Sequence, residues 1–337
     1  PNGFEDDFVW KGKEFDSKRA EARAAMIRVA EACLGHKFEK EPLIVGTSGR
    51  YEFKNKGLDV FMESLKKLAA GDKSGREILA YITVPAGNEG PRRDLVAHLA
   101  DANNPIDSNI YKYTTHYLSS YEWDPIVNAM KGSALLSPES RVKVIFVPSY
   151  LNGDDGVFNK HYYELVVGMD VTVFASYYEP WGYTPLESVA FSVPTITTSL
   201  AGFGLWVDEH TKEHNGVDVI ARTDTNDSKV VEAIASAIER YAGMDGKTLD
   251  AARSSAREIS KIALWENLIA YYREAYSVAL ENAVSRTNKA IYEGGGSYTE
   301  QIKFIRQQLV SNNPSWTRLM IEKTLPDRLH PLEVLSK

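Results

Sequence analysis

Leu43-Ile44-Val45-Gly46-Thr47-Ser48-Gly49-Arg50-Tyr51-Glu52-Phe53-Lys54-Asn55-Lys56-Gly57, followed by Leu58, Phe61, Met62, Leu65, Leu68 and Ala69, decides the fold. The first six residues form an apolar run of strand length, and the last six recur at the three- and four-residue spacing of one helical face. Strand-then-helix repeats outward from it, with apolar strands expected at 78–84, 142–147, 171–174, 194–198 and 217–221 and helices at 92–102 and 119–131. In front lies an amphipathic helix over 18–34, its stripe made of Ala22, Ala25, Met26, Val29, Ala30 and Cys33. The pattern predicts an α/β fold, a parallel sheet with flanking helices.

Past residue 221 the chain reads as helix at 227–241, 248–261 and 264–282. Gly294-Gly295-Gly296-Ser297 has the composition of a flexible linker and precedes a polar tail with a helix near 299–310. The expected division is residues 1–284 as the sheet domain with its C-terminal helices and residues 285–337 as polar linker and helical tail. No internal repeat is found.

Composition narrows the function classes. The 337 residues carry 39 Lys+Arg against 46 Asp+Glu, a net charge of −7, and 43% are hydrophobic. An acidic balance argues against nucleic acid as a partner, because phosphate backbones demand a surplus of cations on one face. Cys33 is the single cysteine and has no intramolecular partner. No apolar run approaches the roughly 18 residues that span a bilayer. A cytoplasmic, reducing setting with no membrane partner is expected. Pro1-Asn2-Gly3 is turn chemistry without the features of a signal peptide, so the chain is expected to be cut from a longer one.

Ligands of open parallel sheets sit beyond the carboxyl ends of the strands, so the loops there carry the chemical search. In the loop after residue 48, Asn55 reads as a helix N-cap flanked by Lys54 and Lys56, where cations oppose the helix dipole by roughly 0.3–1 kcal/mol. A bound anion reverses that cost, with Arg50 forking onto phosphate oxygens and Lys56 supplying a compact charge. An exposed basic loop is the alternative. The second loop is Ser176-Tyr177-Tyr178-Glu179-Pro180-Trp181-Gly182-Tyr183-Thr184-Pro185-Leu186-Glu187. Thr184 reads as N-cap, Pro185 as the first helical position and Glu187 as the third, a capping box. The N–H groups of Gly182, Tyr183 and Thr184 are then expected to face a diphosphate. Glu187 has two readings, the cap itself or a ribose ligand. Glu179, held extended before Pro180, is not placed to cap, and a carboxylate there suits positive charge developing on a sugar, a surface acid being the alternative. His210 and His214 have a zinc-like spacing, but no third ligand accompanies them and solvated histidines are the preferred reading.

The run 176–187 with Ala201-Gly202-Phe203-Gly204 resembles the eukaryotic-type glycogen synthases, retaining glucosyltransferases with the two-domain GT-B fold. The resemblance extends through Pro1-Asn2-Gly3, Gly49-Arg50-Tyr51-Glu52 with Asn55-Lys56-Gly57, Ile82-Thr83-Val84-Pro85-Ala86, Arg141-Val142-Lys143-Val144-Ile145-Phe146 and residues 161–179. It implies that the sheet is the Rossmann-like C-terminal, donor-binding domain of a GT-B glycosyltransferase. It also implies that Glu179 is the catalytic acid residue, that Glu187 binds the donor ribose and that Arg50 and Lys56 bind phosphate. Tyr162 matches the aromatic that stacks on uracil, with Tyr163 beside it as the competing assignment and a core tyrosine as the alternative. No metal or other cofactor is expected.

The partners so implied are UDP-glucose, glycogen or another α-1,4-glucan, and an N-terminal GT-B domain missing from this chain. Leu325-Pro326-Asp327-Arg328-Leu329-His330-Pro331-Leu332-Glu333 faintly resembles the opening of some α-glucan phosphorylases, which implies a fused phosphorylase region in a parent polypeptide. Family members carry an arginine-dense helix that senses glucose 6-phosphate; residues 253–265 offer only Arg253 and Arg257, so activation by that effector is not expected. The expected function is transfer of glucose from UDP-glucose to the 4-hydroxyl of an α-1,4-glucan with retention, this chain supplying the donor half and being inactive alone. The alternatives are another retaining GT-B enzyme using ADP-glucose or a different acceptor, and a noncatalytic glucan-binding module.

Overall fold

The computed structural model describes residues 1–71, 75–107, 111–211 and 215–293, together with 303, 307 and 308. The chain divides into two compact units, Pro1–Trp265 and Glu266–Lys337. Its strands are β1 (Leu43–Ser48), β2 (Ile78–Thr83), β3 (Asn88–Pro91), β4 (His116–Leu118), β5 (Val142–Phe146), β6 (Val171–Phe174), β7 (Thr195–Thr198) and β8 (Val217–Ile220). Six of them form one parallel sheet in the order β5-β2-β1-β6-β7-β8, and β3 pairs with β4 as a separate antiparallel ribbon. The helices are α1 (Gly12–Leu34), α2 (Leu58–Ala70), α3 (Arg93–Ala100), α4 (Pro125–Met130), α5 (Tyr162–Val166), α6 (Tyr183–Ala190), α7 (Gly202–His210), α8 (Asp227–Ala242), α9 (Gly246–Ile262) and α10 (Trp265–Glu293).

Strands β1, β2 and β5 are buried on both faces, as parallel strands sandwiched by helices must be, which is why they read as continuous apolar runs. Leu43 and Val45 of β1 join Ile78, Ala80 and Ile82 of β2 on one face, packed with Leu58, Phe61 and Leu65 of α2 and Val230, Ile234 and Ile238 of α8. On the other face Tyr81 donates its hydroxyl to the Met26 carbonyl of α1 at 2.6 Å. The alternation follows from the period of two along a strand.

The helix expected at 119–131 is broken. A 3₁₀ turn covers Tyr121–Trp123, and α4 starts afresh at Pro125. Proline drives the preceding residue out of the helical region, and Asp124 adopts an extended ψ of 126°. Its carboxylate then caps the new helix, accepting from the N–H groups of Ile126 at 2.9 Å and Val127 at 3.0 Å. The ribbon β3–β4 and the short helices α5 and α7 were not expected; each is too short to show a period of its own. Residue 284 falls inside α10, and the second compact unit begins at Glu266. The linker at 294–297, the tail helix near 299–310, the phosphorylase-like stretch at 325–333 and His214 lie outside the described residues, apart from the three isolated positions.

One carboxylate ties this unit together. Asp170, 1% exposed at the entrance to β6, accepts from the Ile44 N–H of β1 at 2.9 Å through Oδ2. Its Oδ1 accepts from Arg19 at 2.9 Å and Arg23 at 2.9 Å, both on α1, and from Arg253 of α9 at 2.5 Å. Burial alone would raise its pKa, but the three guanidinium groups and the Ile44 N–H outweigh burial and hold the acid below its ordinary value. Arg19, desolvated and facing Arg253, is held down to about 10 and so remains a cation at neutral pH. Arg257 is likewise engaged within the chain, on Asp6 and on the Ala190 carbonyl, both at 2.6 Å.

Replacing Asp170 by Asn leaves three arginines crowded without their counter-ion, and the expected loss is about 3–5 kcal/mol of unfolding free energy in urea at pH 7. Because the native pKa lies below the unfolded value of roughly 3.9, the contribution is full above that value and disappears as pH falls through the lower native one. The gap between Asp170→Asn and the parent should therefore narrow in acid. A gap that is small at pH 7, or that widens in acid, contradicts the assignment.

Candidate functional site

Chain order reverses at β1. From there the chain runs to β2 and β5 on one side, while β6, β7 and β8 lie on the other. The loops leaving β1 and β6 consequently diverge, and a crevice opens between them at the carboxyl ends of the strands.

The two loops are knit together at their bases. Tyr177 N–H donates to the Asn55 carbonyl at 2.8 Å. Gly57, with φ of +69°, turns the first loop into α2 directly against the Ala175 carbonyl, and a Cβ there would be driven into that oxygen. Lys56 Nζ forms an ion pair with the Glu179 carboxylate, the side chains being 17% and 23% exposed. Glu179 itself is clamped through its backbone. Its N–H donates to the Leu200 carbonyl at 3.2 Å and its carbonyl accepts from Gly202 at 3.0 Å, so the residue forms a parallel bridge with Ala201. Extended geometry before Pro180, expected from sequence, is held here by a third loop.

Beside this pair lies a cleft of about 680 Å³ whose lining includes Arg50, Tyr162, Tyr163, Thr184 and Glu187. Arg50 is 78% exposed and pairs with the rim acid Glu52 at 3.1 Å. Tyr162 shares a hydrogen bond of 2.7 Å with Ser48 at the end of β1. Tyr163 is engaged differently: its ring stacks on Phe191 at 4.9 Å, and its hydroxyl donates to Glu187 Oε1 at 2.9 Å. Burial raises the Glu187 pKa, and the Tyr163 hydrogen bond works against that rise. Lys56, Glu179, Gly182 and Tyr183 do not line the cleft but sit next to it along the same loops.

Two expected caps are corrected. The N-cap of α2 is Gly57 rather than Asn55, whose side-chain amide instead donates to Glu52 at 2.8 Å. The N-cap of α6 is Gly182, with φ of +106°, so Tyr183, Thr184 and Pro185 occupy the first turn and no capping box forms. Glu187 falls beyond that turn, which frees its carboxylate for Tyr163. No side chain among the described residues caps α6. The N–H groups of Tyr183 and Thr184 in its first turn have no partner within the helix, and the positive end of the dipole lies there.

Sequence reasoning missed Arg222. Buried at the end of β8, it donates to the Ala175 carbonyl and, at 3.1 Å, to Asp227, while its guanidinium lies 5.1 Å above the Tyr177 ring. It thus holds the base of the loop that carries Glu179. The signal was available, since Arg222 directly follows a predicted strand, where the same rule directed attention to the other two loops. Among the described residues no cluster of three His, Cys, Asp or Glu side chains forms a metal site. His210 is stacked on Trp206 at 4.8 Å and hydrogen-bonded to that residue's carbonyl. No described helix is long and apolar enough to cross a membrane.

The family model described as glycogen synthase matches residues 103–329, about two thirds of the chain. A glycogen [starch] synthase of Caenorhabditis elegans is 28% identical over 306 residues, covering 74% of this chain and 45% of its own. The liver glycogen [starch] synthase of Homo sapiens is 26% identical over 341 residues, covering 84% of this chain and 48% of its own. The chain therefore spans about half the length of the curated relatives it matches.

Gly57 offers a direct check on the joined loops. Gly57→Ala must place a side chain on a left-handed backbone and against the Ala175 carbonyl, and is expected to cost about 2–4 kcal/mol in chemical denaturation. A variant as stable as the parent would show that the two loops are not packed as described.

Proposed function

The chain belongs to the glycogen synthase family, and from that premise we propose that its cleft binds UDP-glucose and supplies the donor half of a retaining glucosyl transfer to the 4-hydroxyl of an α-1,4-glucan. The observation that carries the reading is the meeting of Lys56 and Glu179. They lie 123 residues apart in sequence and form an ion pair at the switch point, one on each of the two diverging loops. A fixed cation beside a fixed carboxylate is what a sugar diphosphate requires at the bond that breaks. Lys56, with Arg50 at the rim and the uncapped start of α6, stabilises charge on the departing diphosphate. Glu179 stabilises positive charge on the glucosyl ring as the anomeric carbon–oxygen bond lengthens. In a front-face transfer the departing phosphate oxygen accepts the proton of the acceptor hydroxyl, and no protein nucleophile is needed. In this reading Glu187, held by Tyr163, takes the ribose hydroxyls and Tyr162 takes the base.

The nucleotide assignment is tested by calorimetric titration. UDP should bind more tightly than ADP, and Tyr162→Ala should weaken UDP by one to two decades if stacking contributes about 1–3 kcal/mol. Equal or reversed affinities reject UDP-glucose as donor, and an unchanged affinity in the variant moves the stacking role away from Tyr162.

The catalytic assignment needs both halves of a GT-B cleft. Positioning an acceptor hydroxyl against the anomeric carbon accounts for about 7–11 kcal/mol of barrier lowering, and we assign that acceptor wall to a second domain of the parent protein. Incorporation of labelled glucose from UDP-glucose into glycogen should be negligible for this chain and measurable for the parent, and Glu179→Gln in the parent should abolish it. Turnover by this chain at the parental rate, or full activity of the parent variant, overturns the assignment.

A further inference from the structure

The amino-terminal end of the sheet, away from the cleft, carries another hollow, of about 900 Å³, lined from the α1–β1 loop and from the segments that enter β2 and β5. Lys143 of β5 lies in its wall. The period of two along the strand sends Val142, Val144 and Phe146 into the apolar core with α2, and Lys143 to the opposite face. Lysine is almost never buried without a counter-ion. Here the residue is 5% exposed, its ammonium donates to the Pro138 carbonyl at 2.7 Å, and it forms no ion pair among the described residues.

An ammonium has three N–H donors and loses its hydration at a cost that one neutral carbonyl does not repay. Burial accordingly lowers the pKa of the amine, with Lys112 adding to the fall and Glu77 opposing it. The neutral amine is the nucleophile of lysine chemistry, so the desolvation that destabilises the ammonium raises the reactive fraction at neutral pH. The hollow also selects the electrophile. Lys40 and Arg76 line it as cations, whereas two of its acids are already engaged, Glu41 by Arg23 and Glu77 by His36, each at 2.7 Å. A small anionic acyl donor fits that volume and that charge.

We propose that Lys143 is a site of acylation by small acyl phosphates, an assignment independent of the reading of the cleft. The neutral Nζ attacks the acyl carbon and a nitrogen–carbon bond forms. The bond from that carbon to the phosphate oxygen breaks with its electron pair, and the surplus proton of the nitrogen leaves on the phosphate as hydrogen phosphate. The product amide keeps one N–H for the Pro138 carbonyl and has no charge to desolvate, so the fold accommodates the modified side chain.

The test incubates the full chain with acetyl phosphate at neutral pH, folded and in urea, and reads acetylation at each lysine by peptide mass spectrometry. Lys37 and Lys40, both exposed and both lining the same hollow, are the internal references. In the folded chain Lys143 should react about threefold or more faster than either, the effect of about half a pKa unit. In urea the three should react alike, because the unfolded chain solvates every amine. Glu77→Gln removes the carboxylate that favours the ammonium and should speed Lys143 by about twofold. A folded Lys143 no faster than its exposed neighbours, a preference that persists in urea, or a Glu77→Gln chain in which Lys143 reacts no faster than in the parent each overturns the proposal.

Discussion

The seam between β1 and β6 has the fewest residues in register of any join in the sheet, and the candidate site sits on it. Only Val45 with Val171 and Gly46 with Thr172 are in register across it, against six residue pairs between β1 and β2. Asp170 compensates at the amino-terminal end. By accepting from Ile44 and from arginines of α1 and α9, one carboxylate fixes two strands and two helices at once. Such a buried charge is tolerable because each oxygen is satisfied and the opposing cations are themselves partly screened by one another's partners, Glu41 for Arg23 and Asp250 for Arg253.

At the carboxyl end the same seam is held by different means. There the loops after β1 and β6 meet through a backbone hydrogen bond, a glycine that permits close approach and the Lys56–Glu179 pair. Arg222 and the Leu200–Gly202 segment brace the second loop from the β7–β8 side. Loops are usually the mobile part of an α/β domain, but these have their backbone groups bonded to neighbouring strands and loops. Electrostatic stabilisation of a developing charge depends on groups that do not have to move when the charge appears, and the role proposed for Lys56 and Glu179 would draw on this bracing.

Much of the fold was legible because it is periodic. The strand at 43–48, the stripe of α2 and the alternation of strand with helix could be read because side chains repeat at two or 3.6 residues. The break at Asp124-Pro125 has a local cause and could have been read from the proline. The ribbon β3–β4 could not, since three- and four-residue strands gain their identity from pairing. Within the candidate site, Arg50, Lys56, Glu179 and Glu187 were singled out by loop position and by a family resemblance. Their partners, Tyr163 for Glu187 and Ser48 for Tyr162, were not, because each pair is distant in sequence and no local pattern joins its members.

The sequence by itself determined the α/β class, the loops on which the proposed chemistry rests and the family to which the chain belongs, since these follow from short-range periodicity and from motifs read in order. Only the tertiary structure decided which loop faces which. Strand order placed β6 beside β1, and that adjacency set the Glu179 carboxylate against Lys56, while folding of the segment around β6 put Gly182 at the start of α6 and Glu187 on Tyr163. The physical reason is that strand adjacency is a long-range choice, made by packing both faces of the sheet and by the charge of Asp170, and no segment of the chain encodes it alone.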